Sequence, residues 1–246
     1  MHARSLTSHT SVVILAAGMG TRLSSTIPKV LVEVAGRPIL RRQVDLLLEW
    51  FPSEAITLVV GYKKELVMEL FPEMAFAYNE GYAKTNTARS LLKGMGRVRA
   101  GHCLWMNGDV VFEEAVLEML LETAADSERS TMLVDTKPCG EEEVKYTLDL
   151  MGRITSVSKT VTDGVGEALG MNIVLEQDMP TLIDSLTKCG QTDYFEAAIQ
   201  SHIDAGGIWL PADRGDRFCV EIDFPEDLTA AETAMRARDE LDVAAV

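Results

Sequence analysis

The chain has 246 residues, of which 47% are hydrophobic and 25% charged, a composition typical of one well-packed globular domain, which we predict over residues 1–246. The 38 acidic and 23 basic side chains give a formal net charge of −15. A surface this acidic repels nucleic acids and anionic lipids, so neither is expected as a partner, and any basic cluster is a local exception.

The cysteines give no sign of a metal site or a disulfide framework. The four are far apart, form no C-x-x-C pair and are accompanied by only four histidines. This pattern predicts buried, reduced thiols in a cytoplasmic protein. The apolar run over residues 11–17 is too short to span a membrane and leads directly into glycines, so we expect neither a signal peptide nor an anchor. The sequence leaves the oligomeric state open, and a homodimer is compatible with it.

The first half of the chain alternates strands and helices. The β-branched run Val12–Leu15 predicts a buried strand that enters a tight loop, and Pro38 opens a helical pattern with one apolar face. Further strands are predicted over 56–60, 74–78 and 102–106, and further helices over 63–71 and 85–97. These strand–loop–helix repeats predict an α/β fold: a doubly wound, Rossmann-like, mixed sheet that is mainly parallel, has helices on both faces and binds ligands at the carboxyl ends of its strands.

The second half is less regular. Short strands are predicted over 131–135, 144–148, 154–157 and 220–222, with a hairpin turn at 151–153. Helices are predicted over 179–188 and 193–205, and a C-terminal helix begins within 224–227, where acidic residues suit the helix dipole. We expect residues 11–125 to bind a nucleotide and residues 126–235 to bind an acceptor on the same sheet.

A basic, glycine-containing loop follows the first predicted strand. Small residues let backbone N–H groups approach and surround a phosphate, and Arg22 and Lys29 add positive charge. The loop lacks the Gly-Lys-Ser/Thr of a P-loop, and Leu23 stands where a dinucleotide fingerprint needs a third small residue. A pair of glycines alone is also compatible with a plain turn, so the longer pattern around it must decide the function.

That longer pattern has three parts. The first is Leu15–Leu23 followed by Pro28-Lys29 and a helix opened by Gly36–Ile39, the second is Asn107–Asp109, and the third is Glu221–Leu228. Together they resemble the signature of the nucleotidyltransferases that make sugar nucleotides and CDP-alcohols, over about residues 11 to 235. The resemblance implies a GT-A-like version of the predicted sheet. It also implies an enzyme that joins a nucleoside monophosphate from an NTP to a phosphorylated or phosphonate acceptor.

The resemblance also implies roles for four catalytic residues. The loop would wrap the triphosphate, with Arg22 on its outer phosphates and Lys29 on the α-phosphate. Asp109 and Asp223 would bind Mg²⁺, which prefers hard oxygen ligands, although either aspartate alone could be a turn residue or a helix cap. The acceptor is already anionic, so alignment and charge neutralisation suffice without a general base.

The segment Tyr78–Leu91 distinguishes between branches of the family. It resembles the Asn-x-x-Tyr…Asn-x-x-x-Ser-Leu segment of the phosphocholine cytidylyltransferase branch, which includes relatives using inositol phosphate and alkylphosphonates, and it therefore implies CTP. Asn86 and Ser90 would share one face near a helix start, where they could bind a base or phosphate or could simply cap the helix. The predicted nucleotide-binding residues are Leu15, Ala16, Ala17, Gly18, Gly20, Thr21, Arg22, Asn79, Asn86, Thr87 and Gly108.

The acceptor site is predicted from charge. Lys145 and Lys159 could bind the phosphoryl group, although lysines on strands are commonly solvated. Choline is normally surrounded by aromatic faces, and residues 131–196 contain few of them. Acidic residues there favour a primary amine, as in 2-aminoethylphosphonate or phosphoethanolamine, over phosphocholine, or else belong to the general acidic surface. The predicted acceptor-binding residues are Lys29, Ser90, Glu143, Lys145, Lys159, Glu167, Tyr194 and Glu196.

Two other functions stay open at this point. A sugar-1-phosphate nucleotidyltransferase would use UTP, GTP or dTTP with the same loop and aspartates. A non-catalytic regulatory module on the same fold would tend to lose the loop charges or the metal carboxylates. This sequence keeps both charges, Arg22 and Lys29, and both carboxylates, Asp109 and Asp223. The leading prediction is therefore a Mg²⁺-dependent cytidylyltransferase that acts on small-molecule substrates.

Overall fold

A nine-stranded sheet forms the centre of the fold in a computed structural model that describes residues 3–20, 23, 26–99 and 101–244, with side chains as far as residue 236. The strands are β1 Thr10–Ala16, β2 Glu33–Val34, β3 Arg37–Pro38, β4 Ile56–Val60, β5 Ala75–Tyr78, β6 His102–Asn107, β7 Val110–Phe112, β8 Ser130–Asp135, β9 Lys145–Leu148, β10 Ile154–Ser158, β11 Gly166–Val174, β12 Trp209–Asp213 and β13 Cys219–Glu221. The helices are α1 Ala3–Thr7, α2 Ile39–Leu48, α3 Lys64–Leu70, α4 Thr87–Met95, α5 Glu114–Ser127, α6 Met179–Lys188, α7 Phe195–Asp204 and α8 Pro225–Ala244.

The sheet is mixed, with a parallel centre. Its main order is β10-β9-β11-β6-β1-β4-β5, and β8 pairs with β11 and β12 to one side. The pairs β6–β1, β1–β4 and β4–β5 are parallel, whereas β11 runs antiparallel to β6, β8 and β9. This arrangement confirms the predicted doubly wound α/β fold.

Helices cover both faces of the sheet. Along β1, Val12 and Ile14 belong to an apolar cluster with α2 and α5, whereas Val13 and Leu15 belong to a second cluster with α4, α6 and α7. Because successive strand residues point to opposite faces, a strand buried on both sides appears in sequence as a continuous apolar run. The four cysteines are free, with Cys139 half-buried and the others buried. Within the described stretches, no helix combines the length and apolarity needed to cross a bilayer.

The predicted elements agree with the structure to within two residues at each end. Three large elements were not predicted: α5, β11 and β12. The sequence of β11 contains two glycines, Glu167 and Asn172, which obscure the strand pattern although all nine of its residues are buried. Pro211 interrupts β12, and proline is tolerated there because β12 is an edge strand that pairs only with β8. The apolar spacing of α5, in contrast, is readable in the sequence.

Helix α4 lies unusually close to the sheet at Gly94. A Cβ atom at this position would lie 2.4 Å from Val13 Cγ1 and 2.9 Å from Val59 Cγ2, both on core strands. The absence of a side chain therefore sets how closely the helix that carries Asn86, Thr87 and Ser90 approaches β1 and β4.

We expect Gly94→Ala to destabilise the protein by about 1–3 kcal/mol, because overpacking against two β-branched core residues outweighs the higher helix propensity of alanine. Urea denaturation measures the free energy of unfolding. Lys93→Ala, at an exposed position on the same helix, is the matched control and should change it by less than about 1 kcal/mol. Equal stability of the Gly94→Ala variant and the wild type would show that the helix can retreat from the sheet without cost.

Candidate active site

A cleft of about 500 Å³ opens at the carboxyl ends of β1 and β6. The loop after β1 supplies Gly18 and Gly20, and the turn after β6 supplies Gly108 and Asp109. The opposite wall comes from β11, the loops around β9 and the segment between β13 and α8. The cleft therefore lies where a doubly wound sheet is expected to bind its ligand.

The two predicted metal aspartates meet at Lys29. Its Nζ donates to Asp109 Oδ2 at 2.6 Å and to Asp223 Oδ1 at 2.5 Å, and its side chain is only 12% exposed. Burial opposes its charge, but Asp109 and Asp223 outweigh burial and raise the pKa of Lys29 above its ordinary value. The ammonium group therefore stays protonated between the two carboxylates.

A small two-stranded ribbon brings the distant aspartates together. Strand β13 pairs antiparallel with β7, with Glu221 opposite Val110, and the Ile222 backbone N–H donates to the Asp109 carbonyl at 3.0 Å. Asp109 immediately precedes β7, and only Ile222 separates Asp223 from the end of β13. The antiparallel pairing therefore places both aspartates at the same end of the ribbon.

Glu221 is a third carboxylate in this cluster that the sequence analysis did not select. It lines the cleft, and its Oε1 accepts from Asn107 Nδ2 at 3.2 Å. Burial, together with the negative charges of Asp109 and Asp223, raises the pKa of Glu221 to about 8. The signal in the sequence that could have identified Glu221 is its position two residues before Asp223 in the Glu-Ile-Asp motif.

The chemistry of the aspartate pair fits a hard divalent cation. Asp109 Oδ1 is buried and has no hydrogen-bond partner among the described residues, and the other oxygen faces the same point as the Asp223 carboxylate. Across the described part of the chain, no group of three or more His, Cys, Asp and Glu side chains is arranged to hold a metal ion. Mg²⁺ does not need one, because it commonly takes one or two carboxylates and completes its shell with phosphates and waters.

The glycine loop lies directly against Lys29. Gly20 has a φ of +63°, and a Cβ atom there would lie 2.7 Å from Lys29 Cβ, so both its conformation and its contact require glycine. Leu15, Ala17 and Gly18 also line the cleft, whereas Ala16 is buried in β1 and does not. The predicted residues Thr21 and Arg22 lie outside the described residues.

The start of α4 forms the adjacent wall. Asn86 caps the helix, its Oδ1 accepting from Thr87 N at 2.9 Å, and Thr87 Oγ1 accepts from Phe195 N at 3.0 Å. Asn79, predicted to bind the nucleotide, is buried outside the cleft and donates to Thr85 Oγ1 and Ser90 Oγ, each at 3.0 Å. It thereby positions residues that line the cleft. Tyr82 and Thr85 were not predicted, although they lie in the discriminating segment.

The predicted acceptor residues form the other wall, with one exception. Those that line the cleft are Lys29, Ser90, Glu143, Lys159, Glu167, Tyr194 and Glu196. Lys145 does not, because its Nζ donates to the Lys159 carbonyl at 3.1 Å. Lys137, which no motif indicated, lines the cleft and forms a 2.8 Å ion pair with Glu167. Burial opposes the charge of Lys137, but Glu167 outweighs it and raises the lysine pKa.

Glu196 is the least exposed acidic residue of this wall, followed by Glu167. It is 6% exposed, and its Oε2 has no hydrogen-bond partner among the described residues. Burial raises the pKa of Glu196 to about 7, although a hydrogen bond from the backbone and the positive charge of Lys159 act in the opposite direction. Lys159 Nζ lies 5.1 Å from the centroid of the Tyr194 ring. The wall thus presents a buried carboxylate beside an aromatic ring that already carries an ammonium group.

Known proteins resemble this chain over most of its length. Residues 12–159 match the model of the MobA-like NTP transferase domain family. The chain is 32% identical over 244 residues to the CMP-5'-(3-aminopropyl)phosphonate synthase of Streptomyces rubellomurinus, which covers 89% of this chain. The chain spans 38% of the length of that relative.

Solved structures share the fold at lower identity. The inositol-1-phosphate CTP transferase from T. maritima has a TM-score of 0.76 and 20% identity, over 90% of this chain and 93% of its own. The CTP:phosphocholine cytidylyltransferase from Streptococcus pneumoniae has a TM-score of 0.76 and 19% identity, over 92% of this chain and 99% of its own. With the family match, these findings confirm the resemblance carried by the three-part pattern.

The raised pKa of Glu196 predicts a pH-dependent stability difference. The folded protein keeps the Glu196 proton up to about pH 7, whereas the unfolded chain releases it near the ordinary pKa of 4.5, so ionisation weakens folding progressively between these values. We expect Glu196→Gln to match the wild type near pH 4 and to be more stable by roughly 1–3 kcal/mol above pH 7. Denaturation across this pH range, with the exposed Glu141→Gln as control, measures the difference. If the difference in unfolding free energy between Glu196→Gln and the wild type did not change with pH, the raised pKa of Glu196 would be contradicted.

Proposed function

This chain belongs to the family of MobA-like NTP transferase domains, and we propose that it transfers CMP from CTP to a small phosphate or phosphonate acceptor and releases pyrophosphate. The observation that carries the proposal is the convergence of Lys29, Asp109 and Asp223 beside the glycine loop. Two carboxylates can hold a divalent cation at this point, and that cation together with the basic side chain can neutralise a triphosphate at the atom that is attacked.

CTP is favoured over other nucleotides by two independent similarities. The Tyr78–Leu91 segment, which resembles that of cytidylyltransferases, contributes Tyr82, Thr85 and the start of α4 to the cleft. The relative from Streptomyces rubellomurinus is named for a CMP-phosphonate product. A sugar-1-phosphate nucleotidyltransferase shares the loop and the aspartates, so the choice of nucleotide is the decisive test between the two.

The reaction would be an in-line displacement at the α-phosphate. An oxygen of the acceptor forms a bond to the α-phosphorus while the bond to the bridging oxygen of pyrophosphate breaks. The glycine loop would hold the triphosphate through its backbone, and Lys29 would neutralise the α-phosphate. Mg²⁺ held by Asp109 and Asp223 would supply further charge neutralisation when bound. The acceptor oxygen is already anionic, so no side chain needs to remove a proton.

For the acceptor, the cleft favours a primary amine at the end remote from the phosphonate. A buried carboxylate oxygen without a partner is costly unless a ligand satisfies it, and an ammonium group supplies both charge and hydrogen-bond donors. Glu196 offers such an oxygen. A choline cage is less well supported, because the Tyr194 ring already faces Lys159. We therefore propose an aminoalkylphosphonate or phosphoethanolamine.

A substrate panel tests the reaction. We expect pyrophosphate release to be fastest with CTP among CTP, UTP, GTP and dTTP, and faster with 2-aminoethylphosphonate or phosphoethanolamine than with phosphocholine or glucose-1-phosphate. Asp109→Asn should reduce the rate by at least about a hundredfold, because one charged ligand is lost. Faster release with UTP, GTP or dTTP and a sugar phosphate would replace the proposal with the sugar-nucleotide alternative. Turnover that does not depend on a divalent cation would contradict the role of the aspartates.

The role of Glu196 is tested by removing either charge of the proposed pair. We expect Glu196→Gln to raise the KM for 2-aminoethylphosphonate by at least about tenfold, because a charge-assisted hydrogen bond is lost. The KM for ethylphosphonate, which lacks the amine, should change little. Glu141→Gln serves as the control for loss of one surface charge. Equal effects on both acceptors would show that Glu196 shapes the wall without contacting the amine.

A further inference from the structure

Lys29 holds the place where the two metal aspartates converge. Its Nζ donates to Asp109 Oδ2 at 2.6 Å and to Asp223 Oδ1 at 2.5 Å, and it contacts no other carboxylate among the described residues. A cation bound by these same two oxygens would need the volume and the electrostatic attraction that the ammonium group now has. The lysine and the cation are therefore alternatives at these atoms.

The acidity of the surrounding cluster explains why an internal cation is needed. Asp109, Asp223 and Glu221 form a partly buried group whose members interact electrostatically. Without a positive charge nearby, such a group would strongly disfavour the folded state, because buried carboxylates of like charge repel each other. In the protein without nucleotide or metal, Lys29 supplies such a positive charge.

We propose that Lys29 is an internal competitor of the divalent cation for Asp109 and Asp223, so that the nucleotide-free protein binds divalent cations weakly. The inference rests on the proposed function only in taking these aspartates as cation ligands. It adds that the two aspartates become available to the divalent cation when a polyphosphate gives Lys29 another partner. The cation and the nucleotide are then expected to bind together, since such coupling between two ligands is reciprocal.

The position of the glycine loop makes this exchange of partners feasible. Lys29 contacts Gly20 through its Cβ, so the stem of the side chain is fixed beside the loop that would hold the triphosphate. The ammonium group is a compact charge on a flexible four-carbon stem, which lets it change partners while its backbone stays in place. A phosphate in the loop would thus compete with the aspartates for the Lys29 ammonium group.

Binding of Mn²⁺ without nucleotide tests the proposal, with free Mn²⁺ measured by electron paramagnetic resonance. We expect Lys29→Met and Lys29→Gln to bind Mn²⁺ at least about tenfold more tightly than the wild type, although both lose CMP transfer. Lys29→Arg, which keeps the positive charge, should stay close to the wild type. Lys93→Met removes the same charge from an exposed position and controls for the net charge of the protein. Having two neutral variants guards against one of them failing to fold.

The outcomes separate this inference from the proposed function. Wild-type protein that binds Mn²⁺ as tightly as the two neutral variants would overturn the competition while leaving the aspartates as cation ligands. Tight binding in Lys29→Met that Asp109→Asn abolishes in the double variant would support the competition at this pair. Tight binding that survives Asp109→Asn would overturn it, because the cation would then bind elsewhere. Failure of the proposed function would appear separately, as no CTP-dependent pyrophosphate release in the wild type.

Discussion

The site depends on the pairing of β13 with β7. This ribbon is outside the main sheet, and its pairing brings Asp223 beside Asp109 although the two residues are far apart in sequence. Three strand residues and the hydrogen bond from Ile222 N to the Asp109 carbonyl are enough to fix the end of the ribbon. Ile222 is fully buried in an apolar cluster with Val34 and Ile39, so the ribbon is anchored by packing as well as by hydrogen bonds. The ribbon that carries the charged cluster is therefore held by apolar packing and backbone hydrogen bonds in addition to the ion pairs of Lys29.

The parallel centre of the fold was predictable because its inner strands, β1, β4 and β6, are buried on both faces. Such strands are apolar without interruption, and glycine or proline marks where they end. Strand β11 escaped prediction for the opposite reason: Glu167 belongs to the cleft, Asn172 is buried within the sheet, and Gly170 approaches Asn107 and Glu221 closely. A strand that lines a binding site carries residues chosen for the ligand, and these hide the periodicity on which prediction relies.

The residues of the site divide in a similar way. The meeting of Lys29, Asp109 and Asp223 could be predicted because all three lie in contiguous motifs. Asp109 and Asp223 follow strands β6 and β13 closely, and Lys29 follows the glycine loop. Asn79 and Lys145 lie in equally recognisable segments, but whether a side chain faces the cleft or a neighbour depends on contacts that short motifs do not encode. Lys137 lies in no recognised motif, and its place in the cleft, where it pairs with Glu167 of the neighbouring strand β11, appears only in the structure.

Strand β11 also determines how the two halves of the chain relate mechanically. It pairs with β6 from the first half and with β8 and β9 from the second, and all nine of its residues are buried. A hinge opening between the halves would have to break these backbone hydrogen bonds and expose apolar surface on both faces of the sheet. Such an opening would be costly, and the two halves are therefore expected to melt as one cooperative unit.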